Sequence, residues 1–358
     1  MDILSVTCSC QKAPAGSHPK IASLTCLSGT ETGITFSNTV NETNWLNILT
    51  YFYFYNGGGV AAGDINDDGL PDLYFTANMG SNRLYLNKGN LKFEDITEKS
   101  GTGTQNEWST GVTMVDFNGD GKLDIYVCQV DGVAGLHGQN KLFINHGDLT
   151  FSEEAAKYHL DFRGHATQAA CFDYDRDGDL DCYLLNHSLK NPHQYVPAQT
   201  ARQQFDPASG DVLYKNMGSA FTDITDLAHI YHSSIGYGLG IAIEDLNGDH
   251  WPDIYVGNDF YENDYLYLNQ HDGTFKEVIH EAVGHTSNFT MGVATADING
   301  DNLPDILSLD MKPEDEFNYK SSGGWESLNL YKFKRTFGYA PQSPKNALQV
   351  NQGAQGSL

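Results

Sequence analysis

Five stretches of this chain copy one another, and no other feature restricts its fold so tightly. They read GVAAGDINDDGLPDLYFTAN from Gly59, GVTMVDFNGDGKLDIYVCQV from Gly111, QAACFDYDRDGDLDCYLLNH from Gln168, GIAIEDLNGDHWPDIYVGND from Gly240 and GVATADINGDNLPDILSLDM from Gly292. A second motif follows each: NRLYLNKG at Asn82, NKLFINHG at Asn140, DVLYKNMG at Asp211, DYLYLNQH at Asp264 and NALQVNQG at Asn346. A third, of the type LKFEDIT, LTFSEEA, SAFTDIT and GTFKEVI, follows the first four. Each unit is therefore strand, acidic loop, strand, turn, strand, turn, strand, with β-branched and aromatic residues bounded by Gly, Asn and Asp. Four antiparallel strands repeated at about fifty residues predict the blades of an all-β propeller.

Each acidic loop runs D-x-[DN]-x-D-x-x-x-D. The candidate ligands are Asp64, Asn66, Asp68 and Asp72 in the first loop and Asp116, Asn118, Asp120 and Asp124 in the second. They are Asp173, Asp175, Asp177 and Asp181 in the third, Asp245, Asn247, Asp249 and Asp253 in the fourth, and Asp297, Asn299, Asp301 and Asp305 in the fifth. Oxygens at positions 1, 3, 5 and 9 can converge on one hard cation, with a backbone carbonyl near position 7 completing the shell. So many carboxylates in nine residues repel one another unless a cation lies between them. All-oxygen ligands favour Ca²⁺ over zinc or copper, and Mg²⁺ keeps its waters. The spacing predicts up to five calcium sites. EF-hands are excluded, because position 12 is Phe75, Val127, Leu184, Val256 or Ser308 rather than Glu, and the flanks are strand-like. Any one loop could be a metal-free Asx-turn, but five with one ligand spacing favour a cation. The third loop, with four ligand carboxylates, is expected to bind tightest. The fourth is expected to bind weakest, because His250 stands where a left-handed backbone favours the Gly of Gly69, Gly121 and Gly178.

These motifs resemble the FG-GAP and VCBS repeats of integrin α-chain propellers over roughly residues 57–353. They are most similar to the bacterial VCBS-repeat proteins akin to cartilage acidic protein and the ASPIC/UnbV group, whose N-terminal end ETGITFSNTV and YNGGGVAAGD resemble. The resemblance implies an exported propeller, seven-bladed when complete, with calcium in the loops between first and second strands. It also implies adhesion or surface recognition without an assigned catalytic residue. Against that pattern the chain supplies five full blades plus a partial blade, and ITFSNT near Ile34 resembles an outermost strand. The expectation is an incomplete ring, with strand edges near Gln349 and Phe36. The domain reading is an N-terminal tail or signal remnant over residues 1–30 and the propeller over 31–358.

Insertions at about 188–210 and 311–345 fall between second and third strands, on the face opposite the acidic loops. The second carries Trp325, Tyr331, Arg335 and Tyr339, aromatic and basic residues suited to a protein or glycan ligand at the cell exterior; a loop packed on its own side chains is the alternative. The formal charge of −25 disfavours nucleic acid and anionic membranes. The sequence has no apolar run long enough to span a membrane. Cys8 and Cys10 sit where a lipoprotein carries its lipid anchor, consistent with secretion or display on the outer cell surface. Cys128, Cys171 and Cys182 read as small core residues, with Cys171 and Cys182 close enough in sequence to meet across one loop. No P-loop, G-x-S-x-G or H-E-x-x-H is present. The alternative function is a propeller-fold polysaccharide lyase or hydrolase. It would need carboxylates outside the loops, for which Glu314, Asp315, Glu316 and Glu326 are available.

Overall fold

Each repeat folds as an antiparallel sheet whose acidic loop joins its first two strands. The computed structural model describes residues 25–105, 107–192, 194–313, 315–322 and 327–353. Blade 1 is β1 (Val60–Gly63), β2 (Asp72–Phe75), β3 (Arg83–Asn87) and β4 (Phe93–Asp95). Blade 2 is β5 (Trp108–Val115), β6 (Asp124–Val130), β7 (Lys141–Asn145) and β8 (Phe151–Glu153). Blade 3 is β9 (Ala166–Phe172), β10 (Asp181–Asn186), β11 (Val212–Asn216) and β12 (Phe221–Asp223). Blade 4 is β13 (Gly238–Glu244), β14 (Asp253–Asn258), β15 (Tyr265–Asn269) and β16 (Phe275–Glu277). A short parallel pair, β17 (Thr286–Ser287) with β20 (Gln342–Ser343), flanks blade 5, which is β18 (Thr290–Ala296), β19 (Asp305–Asp310) and β21 (Ala347–Gln349).

The blade count differs from the sequence reading. Among the described residues there are four complete blades and a three-stranded fifth, not five and a part. The NALQV strand is the third strand of blade 5, so it starts no further unit. The ITFSNT segment forms no strand; Phe36 stacks on Phe75 at 5.1 Å and the Thr35 N–H donates to the Tyr85 hydroxyl at 3.2 Å. It lies along blade 1 without joining its ladder.

The second strands explain the packing. DIYVCQV, DCYLLN and DIYVGN are buried at every position, because a neighbouring blade covers each face of the sheet. Four apolar cores fill the spaces between successive blades, for example Tyr74, Leu84, Ile125 and Val127 between blades 1 and 2. Buried tyrosines in these strands satisfy their hydroxyls: Tyr126 donates to the Leu160 carbonyl at 2.8 Å and Tyr183 to Asp211 at 2.8 Å. At the centre the inner strands β1, β5, β9, β13 and β18 lie side by side. Gly111 shows why small residues recur there, since a Cβ would sit 2.5 Å from the Thr167 carbonyl oxygen of the next blade. Cys171 and Cys182 do meet, paired directly across β9 and β10 as free thiols.

The two insertions pack on each other over blades 3 and 4. The Ala198 N–H donates to the Phe337 carbonyl at 2.8 Å, and the Tyr339 hydroxyl to the Val196 carbonyl at 2.6 Å. Ala198, Ala201, Tyr237, Tyr261 and Tyr339 form one buried cluster. Beneath it Arg202, from the helix Ala198–Arg202, meets Glu262 at 2.6 Å, and both are buried.

Candidate calcium loops and a central cavity

The five loops share one backbone scaffold. The position 1 carboxylate accepts the N–H of position 5 in each loop, at 3.0–3.1 Å for Asp68, Asp120, Asp177, Asp249 and Asp301. It also accepts the N–H of position 6, at 2.7 Å from Gly69 and Gly121, 3.1 Å from Gly178, 2.8 Å from His250 and 2.9 Å from Asn302. Position 6 is left-handed throughout, and His250 adopts it at φ 69°, as the sequence requires and at a strain glycine would not carry.

The ninth-position aspartates turn out to serve the scaffold as well. Asp72, Asp124, Asp181, Asp253 and Asp305 are fully buried. One oxygen accepts the N–H of loop position 2, at 3.0 Å from Ile65, Phe117, Leu246 and Ile298 and 3.2 Å from Tyr174. The other accepts the N–H of the asparagine closing the third-strand motif, at 2.7–2.9 Å from Asn87, Asn145, Asn216, Asn269 and Asn351. Burial, reinforced by the neighbouring loop carboxylates, pushes Asp124 up to about 6 and Asp181 and Asp253 up to about 7. The same asparagines reach between blades. Asn145 Nδ2 donates to the Ile65 carbonyl, Asn269 Nδ2 to the Tyr174 carbonyl and Asn351 Nδ2 to the Leu246 carbonyl, each at 2.8 Å.

The donor set suits calcium: every ligand candidate offers oxygen, and in the third loop carboxylate oxygens of Asp173, Asp175 and Asp177 lie within 4.8 Å of one another. Asp175 Oδ1 and Asp179 Oδ1 there are buried without a partner. The expected ranking of that loop meets an obstacle. The Lys215 ammonium contacts Asp175 and lies 3.1 Å from Asp177, so the loop with the most carboxylates also holds a lysine. In the fourth loop His271 Nε2 lies 2.8 Å from Asp249 and the ring stacks on Trp251 at 4.7 Å.

The first strands begin around a second feature, a central cavity of about 740 Å³ on the insertion face. All five inner strands contribute, through Val60, Thr110, Gln168, Leu239 and Met291 among others. One wall is the segment 48–59, whose YFYFY run at Tyr51–Tyr55 folds across the blade centre. The Tyr51 hydroxyl lies 3.2 Å from His187 Nε2, and Tyr51 meets Trp108 edge-on at 5.6 Å. Thr167 Oγ1 is 3.0 Å from His187 Nδ1. Burial holds His187 well below the usual histidine range, hence neutral at pH 7. The lining contains no Asp, Glu, Lys or Arg. The sequence reading missed this segment, although five consecutive aromatics just ahead of the first repeat were visible.

Residues 64–127, from the first acidic loop through the second, and 245–308, from the fourth through the fifth, match the FG-GAP-like repeat family. The chain therefore carries FG-GAP-like repeats. The chain is also similar to cartilage acidic protein 1 of Xenopus tropicalis, 27% identical over 57% of this chain and 29% of that protein. It is similar to cartilage acidic protein 1 of Homo sapiens, 26% identical over 57% of this chain and 28% of that one. The chain thus spans less than a third of the curated relatives it matches. A solved structure of an Agrocybe aegerita lectin recognising non-reducing terminal N-acetylglucosamine is similar over 70% of this chain and 60% of its own, at 16% identity and a TM-score of 0.40.

The residues expected to hold a ligand lie in different surroundings where they are described. Tyr339 is buried, Arg335 donates to the Tyr339 carbonyl, Tyr331 is partly exposed, and Trp325 lies outside the described residues. This insertion packs on the other one rather than only on its own side chains. Of the carboxylates available for catalysis, Asp315 and Glu316 are exposed at the start of the helix Glu316–Ser322, and Glu314 and Glu326 lie outside the described residues. Cys8 and Cys10 do too. No helix among the described residues is long and apolar enough to cross a membrane.

Three buried carboxylates outside the loops predict a pH effect. Burial raises Asp211 and Asp259 to about 7 and Asp264 to about 6. A folded pKa above the unfolded value gives stability that is complete below pH ~4 and lost as pH rises through 6–7. The net charge of −25 acts in the same direction. Calorimetry on metal-stripped protein should therefore show melting at least ~3 °C higher at pH 5.5 than at pH 8. A melt that falls on acidification would contradict this.

Proposed function

We propose that the chain is a calcium-binding recognition module that works outside the cell, where protein or glycan partners and millimolar calcium are found together. The observation that carries this reading is the five-fold recurrence of one oxygen-rich loop scaffold, down to the same hydrogen bonds from positions 5 and 6. Asp64, Asn66 and Asp68, with their equivalents in the other blades, would hold the ion, and the ninth aspartate would face it from behind. Calcium would supply the positive charge that keeps these carboxylates together. Extracellular modules bind it at about 10⁻⁴–10⁻³ M, which suits the exterior and not the cytosol.

The central cavity is the proposed seat for the ligand. It has the size and the mostly apolar, aromatic wall of a binding pocket. Its lack of charged residues in so acidic a protein favours an uncharged ligand over an ionic one. That lining supports recognition over the lyase or hydrolase alternative, which needs a base or paired carboxylates at the seat. Titrating metal-stripped protein with Ca²⁺ in a calorimeter should give saturable binding in that range, and absence of heat would refute the calcium reading. On an array comparing neutral with uronic-acid or sulfated glycans, any capture should favour neutral ones and weaken in Trp108→Ala. Preference for the charged glycans would move the ligand away from the cavity.

A further inference from the structure

We infer that blade 3 carries its own cation: the Lys215 ammonium fills the loop Asp173–Asp181 in place of calcium, which occupies the loops of the other four blades only. The inference rests on the calcium reading of those four loops. Two independent observations lead to it.

The first is geometric. Lys215 lies on β11, and its ammonium reaches back to Asp175 and to within 3.1 Å of Asp177, at loop positions 3 and 5. It also lies 5.7 Å from the Tyr174 ring centroid. The basic groups near other loops do less. Lys122, within loop 2, meets only Asp120, at 3.1 Å, and His271 meets only Asp249. The loop's own cation, Arg176, points away, over Trp251 at 5.3 Å.

The second is in the repeat. Lys215 immediately precedes the clamping Asn216, and the residues in that place in the other blades are Leu86, Ile144, Leu268 and Val350. Loop position 3 is Asn66, Asn118, Asn247 and Asn299 in those blades but Asp175 in blade 3. The extra carboxylate at loop position 3 and the inserted lysine thus fall in the same repeat and touch each other. A permanently attached ammonium has no dissociation to a bulk concentration, so calcium must displace it from two carboxylates to enter. Asp175 Oδ1 and Asp179 Oδ1 remain unpartnered, so the loop stays rich in acceptors and should take a divalent ion once the lysine is gone.

The test counts sites and probes the empty loops. Native mass spectrometry with calorimetry on metal-stripped protein should give four Ca²⁺ for the wild type and five for both K215L and K215L/D175N, which restores the residue types of the other blades. Five in the wild type, or four in both variants, overturns the inference. A second measurement needs no variant. In metal-free wild type, hydrogen exchange at the Asp177 and Gly178 amides should be at least tenfold slower than at Asp68 and Gly69, because the third loop keeps a counter-ion and the described ion pairs give the first loop none. Equal exchange rates overturn the inference. Failure of calcium to bind any loop overturns the calcium reading instead, and the exchange comparison then still decides whether Lys215 holds its loop closed.

Discussion

Stripping calcium should lower the melting temperature of this protein by more than about 10 °C. A ligand at a hundredfold excess over its Kd stabilises the folded state by ~2.7 kcal/mol per site, and four occupied sites act together. The loops explain why the effect reaches the core. Each loop's ninth aspartate is fully buried and ties loop position 2 to the end of the third strand, so disorder in the loop loosens two strands of its blade. Without the ion, the exposed members of the set repel one another across a few ångströms. Thermal melts in excess Ca²⁺ and after exhaustive chelation measure the difference. Mg²⁺ at the same concentration should restore little of it, because it dehydrates reluctantly. Coincident melts with and without chelator would leave the loops as metal-free turns.

Arg202→Ala should destabilise the fold by about 3–5 kcal/mol, the largest effect expected from any single side chain away from the loops. Its guanidinium meets Glu262 at 2.6 Å and Asn263 at 2.6 Å, and Glu262 has no exposure at all. Burial raises Glu262 to about 6 even though Arg202 opposes the shift, so loss of the arginine raises it further and leaves a buried carboxyl that must take up a proton or stay charged without a counter-ion. Asn263 also accepts the Ala340 N–H at 3.3 Å, so both insertions depend on this point. The double variant R202M/E262M should recover most of the loss, since it removes the stranded carboxyl. Arg83→Ala, which breaks an exposed 3.8 Å pair with Asp95, should change stability by less than ~1 kcal/mol. Denaturant unfolding of the three variants orders them, and an R202A loss no larger than that of R83A would refute the argument.

The blades were legible because their signal is local and repeated. Alternating strands, acidic loops at fixed offsets and the asparagine turn each specify geometry within a few residues, and five copies average out the exceptions. The left-handed backbone at His250 followed from its alignment with Gly69 and Gly121. What escaped the sequence depends on contacts between distant residues. Lys215 reads as an ordinary strand lysine until β11 is laid beside the loop forty residues earlier. Tyr339 and Arg335 read as exposed recognition groups, but the partner that buries Tyr339 is the other insertion, near Val196 and Ala198. The aromatic run Tyr51–Tyr55 has no repeat to align with, and only the ring of first strands shows what it covers. The blade total was overcounted because the third motif follows only the first four units, so the fifth stops at its third strand, Ala347–Gln349.

The asparagine clips make the order of the loops matter. Asn145 of blade 2 holds the backbone of the blade 1 loop at Ile65, Asn269 of blade 4 holds that of blade 3 at Tyr174, and Asn351 of blade 5 holds that of blade 4 at Leu246. A loop that tightens therefore steadies the strand end clipped to it, and its neighbour registers the change through a single amide. The influence runs along the blades like a latch passed from hand to hand. At the junction of blades 2 and 3 the equivalent Asn216 donates to Leu180 of its own blade, with no clip to the blade 2 loop among the described hydrogen bonds. Blades 1 and 2 are thus clipped loop to strand, as are blades 3 to 5, while blades 2 and 3 are joined by their shared apolar core and by the Thr110 and Thr113 hydroxyls, which donate to the Ala166 and Ala169 carbonyls.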